Sequence, residues 1–150
     1  VVVGIRDLDA LRRAWDHMVT LPAFEGVLLD QMVEGTVVEL IVGAKQDPSF
    51  GTVVLTGIGG TSVEIYQDVT IRMAPLTPED AESALHLKGH ELIEGHRGST
   101  PAHRPSLIEL LVRFSHAAHD LAERVESIDL NPVLATADAA IVADARLMLR

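Results

Sequence analysis

The sequence predicts an α+β protein, a two-layer α/β arrangement in which helices pack on a mainly antiparallel sheet. Three observations carry this. Residues 7–19 and 106–124 repeat apolar side chains at three and four positions, the spacing of helices with one buried face. Residues 77–87 open with helix-start signals. Extended apolar runs at 37–45 and 52–56 flank the turn-forming Gln46-Asp47-Pro48-Ser49-Phe50-Gly51, and a short link at 135–138 joins two more, 127–133 and 139–146.

Taken in order, Val1-Val2-Val3-Gly4-Ile5 reads as a short strand, and Asp7 as the N-cap of a helix over 7–19 with Leu8, Leu11, Trp15 and Met18 as its stripe. Residues 26–33 read as an apolar strand that turns polar at Asp30. Glu34-Gly35 is a turn into the strand at 37–45, where Val38, Leu40 and Val42 share one face and Val37, Glu39 and Ile41 the other. Glu39 is then either a rim charge or a carboxylate aimed into a ligand cleft. After the strand at 52–56, Gly57-Ile58-Gly59-Gly60 precedes an extended-looking 62–66 rather than a helix, so the glycines read as a loop passing close to other backbone. Residues 68–74 form a further strand carrying Arg72. Thr77-Pro78-Glu79-Asp80 caps the next helix, and 92–98 is a glycine-punctuated loop bearing Arg97. Ser106 and Glu109 read as a capping box for the longest helix, striped by Leu107, Leu111, Phe114, Ala118 and Leu121.

Composition sets the function classes. The 150 residues are one domain or a large piece of one, with no linker, repeat or low-complexity tract, and they read as a single unit. With 47% apolar but only 3% aromatic residues, the core must come from Val, Leu, Ile and Ala. A net charge of −10, without any Lys/Arg cluster, argues against nucleic acid or an anionic membrane as partner. A nucleotide can still bind through backbone amides and a cation. The absence of cysteine excludes disulfides, a thiolate zinc site and a cysteine nucleophile. No secretory signal or membrane-spanning run is present, so a cytoplasmic protein is expected. The start, Val1 without an initiator Met inside an apparent strand, suggests a domain excised from a longer chain.

The chemistry concentrates late in the sequence. In Ser127-Ile128-Asp129-Leu130-Asn131-Pro132-Val133, Ile128 and Leu130 fall on one strand face, and Asp129 and Asn131 on the other, about 7 Å apart. Pro132 donates no ladder bond, so pairing is expected to end or become one-sided past Asn131. An antiparallel return would set Asp144 beside Asn131. Two carboxylates and an amide are hard oxygen donors, suited to Mg²⁺ on a phosphate ligand rather than zinc. The same residue types also serve as ordinary turn chemistry. The histidine pairs His116/His119 and His86/His90 lack the Glu of a metalloprotease helix and read as solvated. Neither a Gly-x-Ser-x-Gly elbow nor a dinucleotide-binding glycine fingerprint occurs. The remaining polar residues on strands and loops, Glu39, Arg72, Arg97, Asp129, Asn131 and Asp144, combine cation-binding oxygens with arginines, as phosphoryl transfer requires.

These segments resemble the ATP-grasp domain of ADP-forming acyl-CoA synthetases, relatives of succinyl-CoA synthetase. The resemblance runs from Gly26 onward through Glu39-Leu40-Ile41-Val42-Gly43 with Lys45, Asp47-Pro48-x-Phe50-Gly51, Gly57-x-Gly59-Gly60 with Glu64 and Asp68, Arg72-x-Ala74-Pro75-Leu76, Gly95-x-Arg97-Gly98, and Asp129-x-Asn131-Pro132 with Asp144-Ala145-Arg146. It implies an ATP-grasp lobe lacking its N-terminal portion, with ATP/ADP and Mg²⁺ as ligands. Asn131 and Asp144 fall on the Mg²⁺-ligand positions. Asp129 stands where many such proteins have the Glu of a Glu-x-Asn pair. Asp30 falls at the hinge that hydrogen-bonds adenine or ribose, where relatives carry Glu or Gln. Glu39 and Arg72 fall near the phosphates, Arg72 as the catalytic charge-neutralising group.

The implied reaction makes acyl-CoA from a carboxylic acid, CoA and ATP through an acyl phosphate and a phosphohistidine. The implied partners are the CoA-binding domains or subunit of the same synthetase, in a homo- or hetero-oligomer. The 150 residues alone are expected not to turn over. The alternative is a non-catalytic nucleotide-sensing or regulatory domain, for example fused to an acetyltransferase.

Overall fold

The computed structural model describes residues 1–60 and 68–150; the extended stretch expected at 62–66 lies outside the described residues. By internal contacts the chain divides into two compact units, Val1–Glu34 and Gly35–Arg150.

In the first unit, helix α1 spans Leu8–Met18. Asp7 is its N-cap, as the sequence predicts, with Oδ1 accepting the Ala10 N–H at 2.7 Å. Trp15 meets Phe24 edge-on, with ring centroids 5.8 Å apart. The strands expected at 1–5 and 26–33 do not form. A strand exists through its ladder, and among the described residues neither apolar run meets one. Val1, Val3, Leu28 and Leu29 stay exposed.

The second unit is built on a six-stranded antiparallel sheet. Strand β1 (Thr36–Asp47) pairs with β2 (Gly51–Ile58) from Leu40↔Ile58 to Asp47↔Gly51. The turn closes because Asp47 Oδ1 accepts the N–H groups of Ser49 and Phe50 at 2.8 and 3.1 Å, while Gly51 takes φ +73°. Strand β3 (Val69–Met73) lies on the far side of β2, and β4 (Val125–Thr136) on the other side of β1. The outer edge of β4 is shared. Its first half pairs with β6 (Ala145–Leu149) and its second half with β5 (Ala140–Val142).

The predicted single strand at 139–146 is therefore two short ones, broken at Ala143-Asp144. Nor does Pro132 end the pairing. Its carbonyl accepts the Ala143 N–H at 3.0 Å, so β4 continues to Thr136 with a new partner.

Alternation buries Val38, Leu40, Val42 and Ala44 of β1, Thr52, Val54 and Thr56 of β2, and Ile128, Leu130, Val133 and Ala135 of β4. Helices α2 (Pro78–Ala84), α3 (Glu91–Glu94) and α4 (Arg104–Asp120) cover this face. At the start of α2 the Thr77 hydroxyl accepts the Asp80 N–H and the Asp80 carboxylate accepts the Thr77 N–H. The expected capping box of the long helix is absent. The helix begins earlier, with Pro105 in its first turn, and the Ser106 hydroxyl donates to the His103 carbonyl at 2.8 Å. The apolar stripe of α4 is as expected through Ala118, with one polar member. Ser115, fully buried, accepts the Leu76 N–H at 2.8 Å and donates to the Val112 carbonyl at 2.7 Å.

Candidate functional site

Covering one sheet face with helices leaves the other to the alternate residues. On β4, Asp129 and Asn131 are exposed between the buried Ile128, Leu130 and Val133. Asp129 is in register with Gly43 of β1 on one side and Arg146 of β6 on the other. A Cβ at Gly43 would stand 3.9 Å from Asp129 Oδ1, so the carboxylate leans over the one β1 position without a side chain. The Asn131 N–H donates to the Asp144 carbonyl at 3.2 Å, which sets the two residues side by side. Asp144 Oδ1 accepts the Ala145 N–H at 2.9 Å.

The donor set is two carboxylates and one amide, all hard oxygens. Among the described residues no three His, Asp or Glu side chains converge into a complete metal cage. A cation held by these exposed oxygens would take further ligands from water and from the oxygens of its own ligand. That suits Mg²⁺ arriving on a phosphate.

Glu39 lies on the same side of the sheet, exposed between the buried Val38 and Leu40. The glycine loop after β2 crosses its backbone. The Gly59 N–H donates to the Glu39 carbonyl at 2.6 Å, and a Cβ at Gly59 would stand 3.1 Å from the Glu39 carbonyl carbon and oxygen. The close approach expected of these glycines is thus an approach to Glu39 itself.

Arg72 is not brought together with these residues. It is in register with the buried Val54, on the helix-covered side of the sheet. Its Nε donates to Ser83 Oγ at 3.1 Å, and its two terminal nitrogens donate to the carbonyls of Ser83 and Ile71 at 3.2 and 2.9 Å. The carbonyl end of α2 thus occupies the guanidinium expected at the phosphates. Asp30 belongs to the first unit, exposed and outside any helix or strand.

Two positioning contacts were not foreseen. Asp68 accepts the N–H groups of Lys88 and Gly89 at 2.8 and 2.7 Å, tying the start of β3 to the segment after α2. Arg104, at the start of α4, bonds Glu82 of α2 at 2.7 Å and holds that carboxyl below its ordinary value, chiefly through the hydrogen bond. Arg104 also approaches Glu94 of α3 at 3.6 Å. Nothing in the one-dimensional pattern marks pairs so far apart. His116 and His119 are exposed on α4 as expected. His86 and His90 line a shallow cavity of about 370 Å³ with Leu87 and Lys88, and none of the oxygen donors above takes part in it.

Residues 1–149 match the family model described as the ATP-grasp domain, and the chain belongs to that family. The curated proteins it resembles include ADP-forming acetate–CoA ligases. It is 32% identical over 160 residues to the Acetate–CoA ligase [ADP-forming] II subunit beta of Pyrococcus furiosus, covering 100% of this chain and 67% of that protein. It is 42% identical over 112 residues to the Acetate–CoA ligase [ADP-forming] I subunit beta of the same organism, covering 74% of this chain and 48% of that one. Among solved structures, it superposes with a TM-score of 0.88 and 35% identity on the dinucleotide forming acetyl-coenzyme A synthetase 1 of Ca. Korarchaeum cryptofilum, covering 99% of this chain and 67% of that chain. That structure contains coenzyme A and Mg-AMPPCP, with its phosphohistidine segment pointing towards the nucleotide binding site.

Proposed function

We propose that this chain is the Mg-ATP-binding part of an ADP-forming acyl-CoA synthetase, which makes acyl-CoA from a carboxylic acid, CoA and ATP through an acyl phosphate and a phosphohistidine. The observation that carries the proposal is the grouping of Asp129, Asn131 and Asp144 on the open side of the sheet, joined by the Asn131–Asp144 backbone hydrogen bond. Likeness to ADP-forming acetate–CoA ligases across the chain supports it.

In this reading Asn131, Asp144 and Asp129 would hold Mg²⁺, which would supply charge stabilisation to the phosphate undergoing transfer. Rigid β-strands fix the donors before the ligand arrives. Asp129 stands on β4 between its register partners on β1 and β6, and the Asp144 carboxylate is oriented by its bond to the Ala145 N–H. Glu39 sits beside the nucleotide, kept in place by Gly59. The CoA-binding domains or subunit of the same synthetase are the partners.

The test is turnover by the intact protein with ATP, CoA and a panel of short and branched acids, detecting ADP. ADP formed only when CoA and one acid are both present supports the ligase and names its acid. Mg-nucleotide binding without turnover in any mixture would overturn the ligase in favour of a nucleotide-sensing domain.

A further inference from the structure

Two carboxylates around one divalent cation are electrically balanced, but the polyphosphate that accompanies the cation is not. Its negative charge needs a positive side chain on the same side of the sheet. Arg72 is on the other side, bonded to the end of α2. Arg146 meets the requirement. As the register partner of Asp129 it projects from the same sheet face, and cross-strand partners have Cβ atoms about 4.5–5.5 Å apart. It is exposed, as is the whole of β6. Among the described residues it forms no ion pair, although a carboxylate is its neighbour. The Asp129 carboxylate leans instead over Gly43, which leaves the guanidinium free for another anion. Arg146 also stands two residues beyond Asp144, so one short segment supplies both a cation ligand and a phosphate ligand.

We propose that Arg146 contacts the phosphates of the Mg-nucleotide, the role that the family resemblance implies for Arg72. This rests on the Mg-nucleotide reading of Asp129, Asn131 and Asp144. A guanidinium matches a phosphate in a bidentate fork that an ammonium lacks, so Arg146→Lys restores only part of the binding. Lys45 is the competing cation. It is exposed on β1 opposite Ser127, one step along the same face from the Gly43–Asp129 pair.

The experiment is calorimetric binding of Mg-ATP, Mg-tripolyphosphate and adenosine to the intact protein and to Arg146→Ala, Arg146→Lys, Lys45→Ala and Asn131→Ala/Asp144→Ala, with thermal melts of each. Arg146→Ala is expected to weaken Mg-ATP and Mg-tripolyphosphate by about tenfold or more, the scale of one charge-assisted hydrogen bond. Adenosine binding and the melting temperature should stay unchanged, and Arg146→Lys should fall between. Arg146→Ala binding Mg-ATP like the natural protein, or Lys45→Ala carrying the loss instead, would overturn the proposal, as would equal weakening of adenosine. Insensitivity of Mg-ATP binding to Asn131→Ala/Asp144→Ala would instead overturn the site on which it rests.

Discussion

Gly59→Ala is the perturbation whose consequence the structure fixes most closely. An added Cβ would stand 3.1 Å from the Glu39 carbonyl carbon and oxygen and 3.2 Å from its Cβ, tighter than ordinary contact. Those atoms belong to β1, which is held on both edges around this point by Leu40↔Ile58 and Leu40↔Val133. The strand cannot give way cheaply. Overpacking of this kind costs about 1–3 kcal/mol, whereas replacing glycine by alanine recovers only about 0.4–1 kcal/mol through a stiffer unfolded chain. The net expectation is a loss of about 1–2 kcal/mol.

Urea unfolding of the variant should show a lower midpoint at unchanged slope. Mg-ATP affinity should fall with it, because the displaced residue is Glu39. Gly26→Ala is the control, since nothing lies within 4 Å of its Cβ, and it should not lower the midpoint. An unchanged or raised midpoint for Gly59→Ala would refute the steric reasoning. A lowered midpoint with full nucleotide affinity would remove Glu39 from the site.

Arg72→Ala should cost about 1 kcal/mol of stability through its lost bonds to Ser83 and leave Mg-ATP affinity intact in parallel unfolding and binding measurements; a selective loss of affinity would return Arg72 to the phosphates. The lowered carboxyl pKa of Glu82 gives a signed pH effect. Its ion pair with Arg104 contributes stability that is complete above the ordinary value of 4.5 and disappears as pH falls through the lower folded value. Glu82→Gln should therefore destabilise the protein near neutrality and flatten the acid limb of its stability profile; parallel profiles for both proteins would contradict this.

Where sequence pattern and structure agree, the pattern was local. The alternation of 37–45 and 127–133 was enough to separate Val38, Leu40, Ile128 and Leu130 from Glu39, Asp129 and Asn131, because a strand has only two faces. Asp7 and Thr77 were legible as caps because a cap needs only its own first turn. What the pattern does not reveal is long-range. The apolar runs at 1–5 and 26–33 have strand composition but no ladder among the described residues. Arg72 alternates with apolar neighbours on β3, and only the packing of α2 decides that its face is the helix-covered one. Arg146 draws its significance from register with Asp129 across β4 and β6, which spacing within one strand does not reveal.

The most direct measurement is Mg-dependent ATP binding to the intact protein and to Asn131→Ala/Asp144→Ala, titrated by calorimetry with and without EDTA. A cation site at these residues predicts that the natural protein binds ATP much more tightly with Mg²⁺ than without, and that the double substitution removes the difference while the protein remains folded. Equal Mg²⁺ enhancement in both proteins would contradict the assignment of the metal to Asn131 and Asp144.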